Sequence, residues 1–259
     1  MPFRCIQITR KYWIPKILRI TISQIYKIYE NYVLKKVDLV ITVTPSIVDR
    51  LIKINPNTYQ VTNYPIIGDM TGPIKNGSKS ICFAGILDKS WMLENIINAI
   101  KTIPNVDFQI AGSGLESYIS TLKKLDGNNK VVFHGRIAHT KVSEFIKDSF
   151  VGMALYDYCP ELGHNMGTLG NTKLFEYMSA GVPVICTDFI LWKKVIEENR
   201  CGICVNPREV SSISAAILYL LDNPLIAQEM GVNGQIAVKE QYNWATQEII
   251  LLNAYKTLD

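Results

Sequence analysis

The residues best suited to chemistry lie between positions 156 and 185. A loop holding Cys159, Glu161, His164 and three glycines (Gly163, Gly167, Gly170) runs into Asn171, and a helix is expected to start at Thr172. Asparagine is a favoured N-cap, because its side-chain oxygen accepts a hydrogen bond from an amide of the first turn. The unpaired amides and positive dipole end at 172–174 suit a phosphate. Lys173 would add a cation there. One turn on, the Glu176 carboxylate is placed to accept from a pair of hydroxyls such as a ribose diol. Taken only as a glycine loop and a helix, the same residues equally describe a capped surface helix with a solvated glutamate. Position favours the first description. The segment follows an apolar run at 151–155 that reads as a strand, so it opens at the carboxyl edge of a sheet, where open α/β sheets bind ligands.

The elements that must hold this segment recur from residue 80 onward. Apolar runs at 80–84, 106–111, 131–134, 151–155, 183–186 and 203–205 are short and rich in Val and Ile, as strands buried on both faces are. Leu93, Ile96, Ile97 and Ile100 follow i, i+3, i+4, i+7, as do Ile213, Ala216, Ile217, Leu220 and Leu221 on a later stretch. Strands alternating with helices imply an α/β fold, a doubly wound parallel sheet, spanning 80–242. Two helices near 225–240 and 244–257 close the chain, the second (243–259) expected to return toward the N-terminal part. Residues 1–62 read differently: a basic, aromatic-bearing helix at 16–36, a strand within 38–44, a helix opened by Pro45 and a strand at 59–63. Residues 63–79, with Pro65, Gly68, Gly72, Pro73 and Gly77, are the expected linker. Two strands and two helices are too little for a self-sufficient core, so 1–62 reads as a piece of a domain.

Composition narrows the classes. The chain has 259 residues and is 48% hydrophobic and 19% charged, which excludes intrinsic disorder. No run approaches the ~18 apolar residues of a spanning helix, and the start MPFRCIQITRKYW lacks the apolar core of a secretory signal. The net charge of +4 is unevenly placed: residues 1–40 carry eight Lys or Arg against two acids, a net of +6, and the remaining 19 basic and 21 acidic residues give −2. No nucleic-acid-binding motif accompanies the basic arm, so no nucleic-acid partner is expected. Tyr12, Trp13, Tyr26, Tyr29 and Tyr32 are interleaved with its charges, as in helices that lie on an anionic membrane surface, which makes residues 10–36 a candidate membrane contact. The competing expectation is that these aromatics belong to the core of a larger half.

Six cysteines are scattered, and Cys82 and Cys186 sit inside apolar runs as small core residues. Cys201 and Cys204 form a CxxC with no second CxxC and no His pair nearby, so no metal site is expected. The plain alternative is a helix ended by Gly202 and a short buried strand holding Cys204. His134 reads as a structural histidine at a strand end, His139 as an exposed helix start.

NTKLFEYMSAGVPVICTDF (171–189) followed by KKVIEENRCGICVNP (193–207) resembles the donor-binding half of GT-B glycosyltransferases of family 4. LLDNP (220–224), MGVNGQIAV (230–238) and YNW (242–244) extend the resemblance, and YENYVLKKVDLVITVTP (29–45) with VTNYP (61–65) is similar to the last part of that family's acceptor domain. The resemblance implies a retaining glycosyltransferase that transfers sugar from a nucleotide-diphosphate sugar, of UDP or GDP type, to a glycan or lipid-linked acceptor. It implies no metal and no other cofactor, and a cytoplasmic location, peripheral at the inner face of the plasma membrane. Glu176 corresponds to the carboxylate that holds the ribose. Asn171, Thr172, Lys173 and Leu174 correspond to the helix start that meets the diphosphate, and Gly135 and Arg136 to a turn lining the nucleobase pocket. No catalytic nucleophile is assigned.

Three departures accompany the resemblance. The family's Gly-Arg at the end of the first donor strand is Gly85-Ile86 here, and its following Lys falls on Trp91, leaving Lys89 in the same loop as the expected substitute. The first of the family's paired glutamates falls on Thr168. The family's acceptor domain, a second Rossmann-like domain, is far larger than 62 residues, so the resemblance implies that 1–62 is a partial second Rossmann-like domain and that the chain holds an incomplete acceptor half. The alternative function is a non-catalytic nucleotide-sugar-binding module that needs a partner chain.

Overall fold

The computed structural model describes residues 14–67 and 79–258. Tyr12 and Trp13 of the basic arm, and Gly68, Gly72, Pro73 and Gly77 of the expected linker, lie outside the described residues. The chain divides into two compact units: 14–63, 158–170 and 244–258 form the first, and the described residues of 64–157 and 171–243 form the second.

The first unit opens with α1 (Lys16–Leu34), β1 (Val40–Thr42), α2 (Pro45–Leu51) and β2 (Thr58–Gln60), and β1 and β2 pair in parallel. Pro45 stands in the first turn of α2, where its missing N–H costs nothing. The connections are held by polar side chains. Asn55 Nδ2 donates to the carbonyls of Leu34 (2.9 Å) and Val37 (2.7 Å), and Thr58 Oγ1 donates to Asn55 O (2.6 Å).

In the second unit the order is β3 (Ser80–Leu87), α3 (Leu93–Ile100), β4 (Asp107–Gly114), α4 (Glu116–Leu125), β5 (Val131–Gly135), α5 (His139–Lys147), β6 (Val151–Ala154), α6 (Thr172–Ser179), β7 (Val184–Thr187), α7 (Ile190–Asn199), β8 (Gly202–Val205), α8 (Val210–Asp222) and α9 (Pro224–Glu240). Its six strands lie in the order β5-β4-β3-β6-β7-β8, every pair parallel. The expected doubly wound sheet is therefore present. The winding reverses between β3 and β6, which sets the ligand-binding crevice of such sheets at the carboxyl ends nearby. Phe83, Phe108, Leu93, Ile96, Ile97, Ile100, Ile213, Ile217 and Leu220 are all sealed from solvent in one core. Each such side chain contributes about 1.5–3 kcal/mol by leaving water.

Helix α6 is seated by close packing. A side chain at Gly152 of β6 would meet the Tyr177 ring at 2.3 Å, so glycine lets Tyr177 lie flat on the strand. On the other side Gly231 and Gly234 of α9, three residues apart on one face, come within 2.1 Å of Gly181 O and 3.2 Å of Met178 Cα, measured from the Cβ each lacks. Phe175 meets Tyr64 and Tyr242 with ring centres 4.7 and 5.2 Å away.

One local expectation is corrected. Gly202 does not end a helix: it is the first residue of β8, and a Cβ there would lie 2.1 Å from Val184 O of the neighbouring strand. The left-handed residue closing α7 is Arg200, at φ 49°. Cys204 lies in that strand as expected, opposite Cys186, with the two sulfurs 3.6 Å apart. Burial pushes the Cys82 and Cys201 thiols up to about 12 and holds Cys186 well above its ordinary value. The last helix, α10 (Trp244–Tyr255), belongs to the first unit, where its Gln247 Oε1 accepts from the Thr62 amide at 2.9 Å.

Candidate functional site

A cavity of about 330 Å³ opens in the second unit at the carboxyl ends of β3, β4 and β5. Strand β3 supplies Ala84, Gly85 and Ile86, and β4 supplies Ala111, Gly112 and Ser113. The turn after β5 and the helix beyond it supply Arg136, Ile137, His139 and Val142, and α6 contributes Thr172, Lys173 and Glu176. Five of the expected site residues thus line one cavity: Gly85, Arg136, Thr172, Lys173 and Glu176.

The wall at β3 and β4 is bare backbone for a steric reason. A Cβ on Gly112 would lie 1.7 Å from Gly85 O, and one on Gly85 would lie 2.1 Å from the Lys173 ammonium. Both residues also have positive φ, 149° and 153°, in a region that favours glycine. Gly135 closes β5 with φ 64°, a left-handed turn that sends Arg136 toward the cavity.

Helix α6 presents its N-terminus. The first four amides of a helix have no intrahelical partner. Asn171 caps this one as expected, its side chain accepting from the Lys173 amide at 3.2 Å. Leu174 is sealed in the core, so only its backbone is available to a ligand. Glu176, half-buried, stands one turn in.

Lys173 is the most constrained charge of the site. Its Nζ donates to Ala84 O at 2.5 Å and lies 4.9 Å from the centre of the Trp91 ring and 5.2 Å from that of Phe83. Burial holds its ammonium below the ordinary lysine range, opposed by the carboxylates of Glu176 and Asp88.

Lys89, the expected substitute cation, is exposed in the short helical turn Lys89–Trp91 and does not line the cavity. The glycine loop also goes elsewhere. Residues 158–170 belong to the first unit, where Thr168 Oγ1 and Thr44 Oγ1 are 2.8 Å apart and a Cβ on Gly170 would meet Val43 at 3.0 Å. Thr168, at the position of the family's first glutamate, is therefore paired within the first unit. His164 in that loop adopts a left-handed φ of 58°, and its amide donates to Cys159 O at 2.8 Å. His134 pairs with Gln109 across the sheet at 2.7 Å, a structural role as expected. His139 does start a helix, and it lines the cavity as well. Sequence reasoning missed Gly112, Ser113 and His139 as site residues. The first two carried a signal: AlaGlySerGly (111–114) ends a strand with glycines, on the same edge that singled out α6. Among the described residues no three His, Cys, Asp or Glu side chains converge as a metal cluster.

Residues 71–236 match the family model of glycosyl transferases group 1. The chain belongs to the glycosyl transferases group 1 family. A phosphatidyl-myo-inositol mannosyltransferase of Mycobacterium leprae is 23% identical over 208 residues, covering 77% of this chain and 49% of that protein. An uncharacterized glycosyltransferase of Methanocaldococcus jannaschii is 25% identical over 172 residues, covering 63% and 41%. The chain spans about half the length of the curated relatives it matches. Among solved structures, sucrose-phosphate synthase from Thermosynechococcus elongatus superposes with a TM-score of 0.73 at 18% identity, over 88% of this chain and 60% of that one. Anabaena HepE, solved in complex with UDP and glucose, gives 0.69 at 16% identity over 85% and 63%. The group 1 chain thus has the Rossmann-like GT-B fold.

Proposed function

We propose that the cavity at the ends of β3, β4 and β5 binds a nucleotide-diphosphate sugar, of UDP or GDP type, and that the chain takes part in its transfer to a glycan or lipid-linked acceptor with retention of configuration. The observation that carries the reading is the meeting of the α6 N-terminus, Lys173 and Glu176 in one cavity with the bare backbone of Gly85 and Gly112. The helix amides and Lys173 would hold the diphosphate and stabilise it as it leaves, since preorganised donors act on charge as it develops. Glu176 would accept from the ribose hydroxyls. Arg136 would stack its planar guanidinium on the base. Retention is supported by the family 4 resemblance of 171–189 and 193–207. The diphosphate is the only leaving group proposed, and no cofactor or metal is part of the reading.

Calorimetric titration with UDP- and GDP-sugars tests it. One of the two should bind, and Glu176→Ala should weaken binding at least ~10-fold through the lost charge-assisted hydrogen bonds. Absence of binding by both, or an unaffected Glu176→Ala, rejects the reading. Binding without turnover would move the chain to the alternative of a nucleotide-sugar-binding module.

For a second partner, an anionic membrane surface is proposed at α1, with a cytoplasmic, peripheral location. Its exposed residues Ile17, Ile25, Ile28, Tyr29 and Tyr32 occupy one arc of the helix, with Lys27, Lys35 and Lys36 also exposed. Among the described residues no single helix is long and apolar enough to cross a membrane. Salt-sensitive co-sedimentation with anionic vesicles is the expected result, and none at low salt counts against it.

A further inference from the structure

We propose that Trp91 is a positioning residue for the donor diphosphate, acting through Lys173. The inference rests on the nucleotide-sugar reading of the cavity and goes beyond it by assigning which part of the molecule holds its buried cation in place.

In this chain the positions that resemble the family's two strand-edge cations are apolar, Ile86 and Trp91. Ile86 is exposed at the cavity rim and Lys89 does not reach the cavity. The ammonium contributed by the first turn of α6 is that of Lys173, and two aromatic rings lie against it. The Trp91 ring lies under it at 4.9 Å and Phe83 beside it at 5.2 Å. Trp91 is in turn braced by Phe83 (5.2 Å) and edge-on by Tyr156 (4.8 Å). An ammonium over an indole face is attracted by the ring quadrupole, more strongly when partly desolvated.

The backbone around Trp91 is tied on both sides. Asp88 Oδ1 accepts from the Ser90 amide at 2.8 Å, Ser90 O accepts from the Asp157 amide at 2.8 Å, and Asp157 Oδ1 accepts from Arg208 Nε at 2.7 Å. Met92 then turns left-handed at φ 51° to start α3. Ala84 O takes one of the three N–H donors of Lys173. Gly85 makes room for the ammonium, because a Cβ there would lie 2.1 Å from it, and Lys173 lines the cavity, where its further donors can reach a ligand. Trp91 thus serves the diphosphate subsite indirectly: it orients a cation delivered from α6.

The claim is tested by affinities for UDP against UMP, and GDP against GMP, in the wild-type chain, Trp91→Leu, Trp91→Phe, Lys173→Met and the Trp91→Leu/Lys173→Met double variant. Lys173→Met should abolish the preference for diphosphate over monophosphate. Trp91→Leu should cut that preference roughly three- to tenfold while leaving monophosphate affinity in place, and Trp91→Phe should retain most of it. The double variant should match Lys173→Met. Equal loss for mono- and diphosphate, or full additivity in the double variant, overturns the claim. If Trp91→Leu does not fold, the wild-type chain still decides: the Lys173 side-chain protons should carry an upfield ring-current shift in NMR without ligand, and its absence overturns the claim. A wild-type chain that shows the shift yet binds neither UDP nor GDP overturns the donor-site reading, and the diphosphate role of Trp91 with it.

Discussion

The largest sealed side chains among the described residues, Trp192, Tyr177, Phe83 and Phe108 among them, all belong to the second unit, which still leaves Ile86, Leu115 and Leu225 exposed. The first unit is built the other way round. Of the nine buried polar residues among those described, six (Ser23, Thr44, Asn55, Thr58, Thr62 and Gln247) belong to it, and α1 turns Ile17, Ile25 and Ile28 outward at 82%, 61% and 70% exposure. Hydrogen bonds such as Thr44–Thr168 and Thr62–Gln247 specify its geometry but contribute only about 0.5–1.5 kcal/mol each, whereas burial of one large apolar side chain contributes more. The difference shows where binding chemistry can be preorganised: a cavity walled by glycine backbone and a capped helix requires the rigid, apolar frame that the second unit has.

That contrast can be broken by mutation. Phe83→Ala, in the central strand and against Trp91, should destabilise the second unit by about 3–5 kcal/mol in denaturant unfolding. A loss below 1 kcal/mol would mean its core is not sealed as described.

Alkali should act on the same unit. Burial holds Cys82 as a neutral thiol in the folded chain up to about 12, whereas in the unfolded chain it ionises near the ordinary thiol value of 9.0. Between these values the folded state binds more protons, so stability falls as pH rises, by about 1.4 kcal/mol per pH unit for such a thiol. Denaturation curves of Cys82→Ala between pH 9.0 and 12 should show a shallower fall than the wild type. Asn171→Ala should cost about 1 kcal/mol through the lost α6 cap and weaken nucleotide binding in parallel. Ile28→Ala on α1 should change stability by less than ~0.5 kcal/mol, because its side chain already faces solvent. A large effect there would erase the contrast between the units.

The same difference explains how far sequence reasoning reached. All six strands of the second unit were legible as short runs rich in Val and Ile, although only β6 and β7 are buried along their whole length and β5 alternates between half-buried and exposed. So was Asn171, because capping is a local hydrogen bond. The course of 158–170 was not legible. Three glycines after a strand look the same whether the loop wraps a phosphate or packs on the first unit, and the pairing of Thr168 with Thr44, 124 residues apart, leaves no local trace. The placement of Lys173 was only half legible. Its position at a helix start follows from spacing, but its seat over Trp91 and Phe83 depends on three elements meeting in space. The basic, aromatic-bearing stretch of α1 announced a helix without showing that its Ser23 and its Glu30, paired with Arg50 of α2 at 2.8 Å, would face the unit and its isoleucines would not.

The most direct test of the central claim is amide chemical-shift mapping as UDP or GDP is added to the whole chain. Saturable shifts should appear together at Gly85, Gly112, Arg136, Lys173 and Glu176, the residues that line the cavity. Another cavity of the same unit, of about 360 Å³ beside Arg200 and Met230, should stay unchanged. Shifts confined to that other cavity or to the first unit, or no shifts with either nucleotide, would contradict the assignment of the donor site.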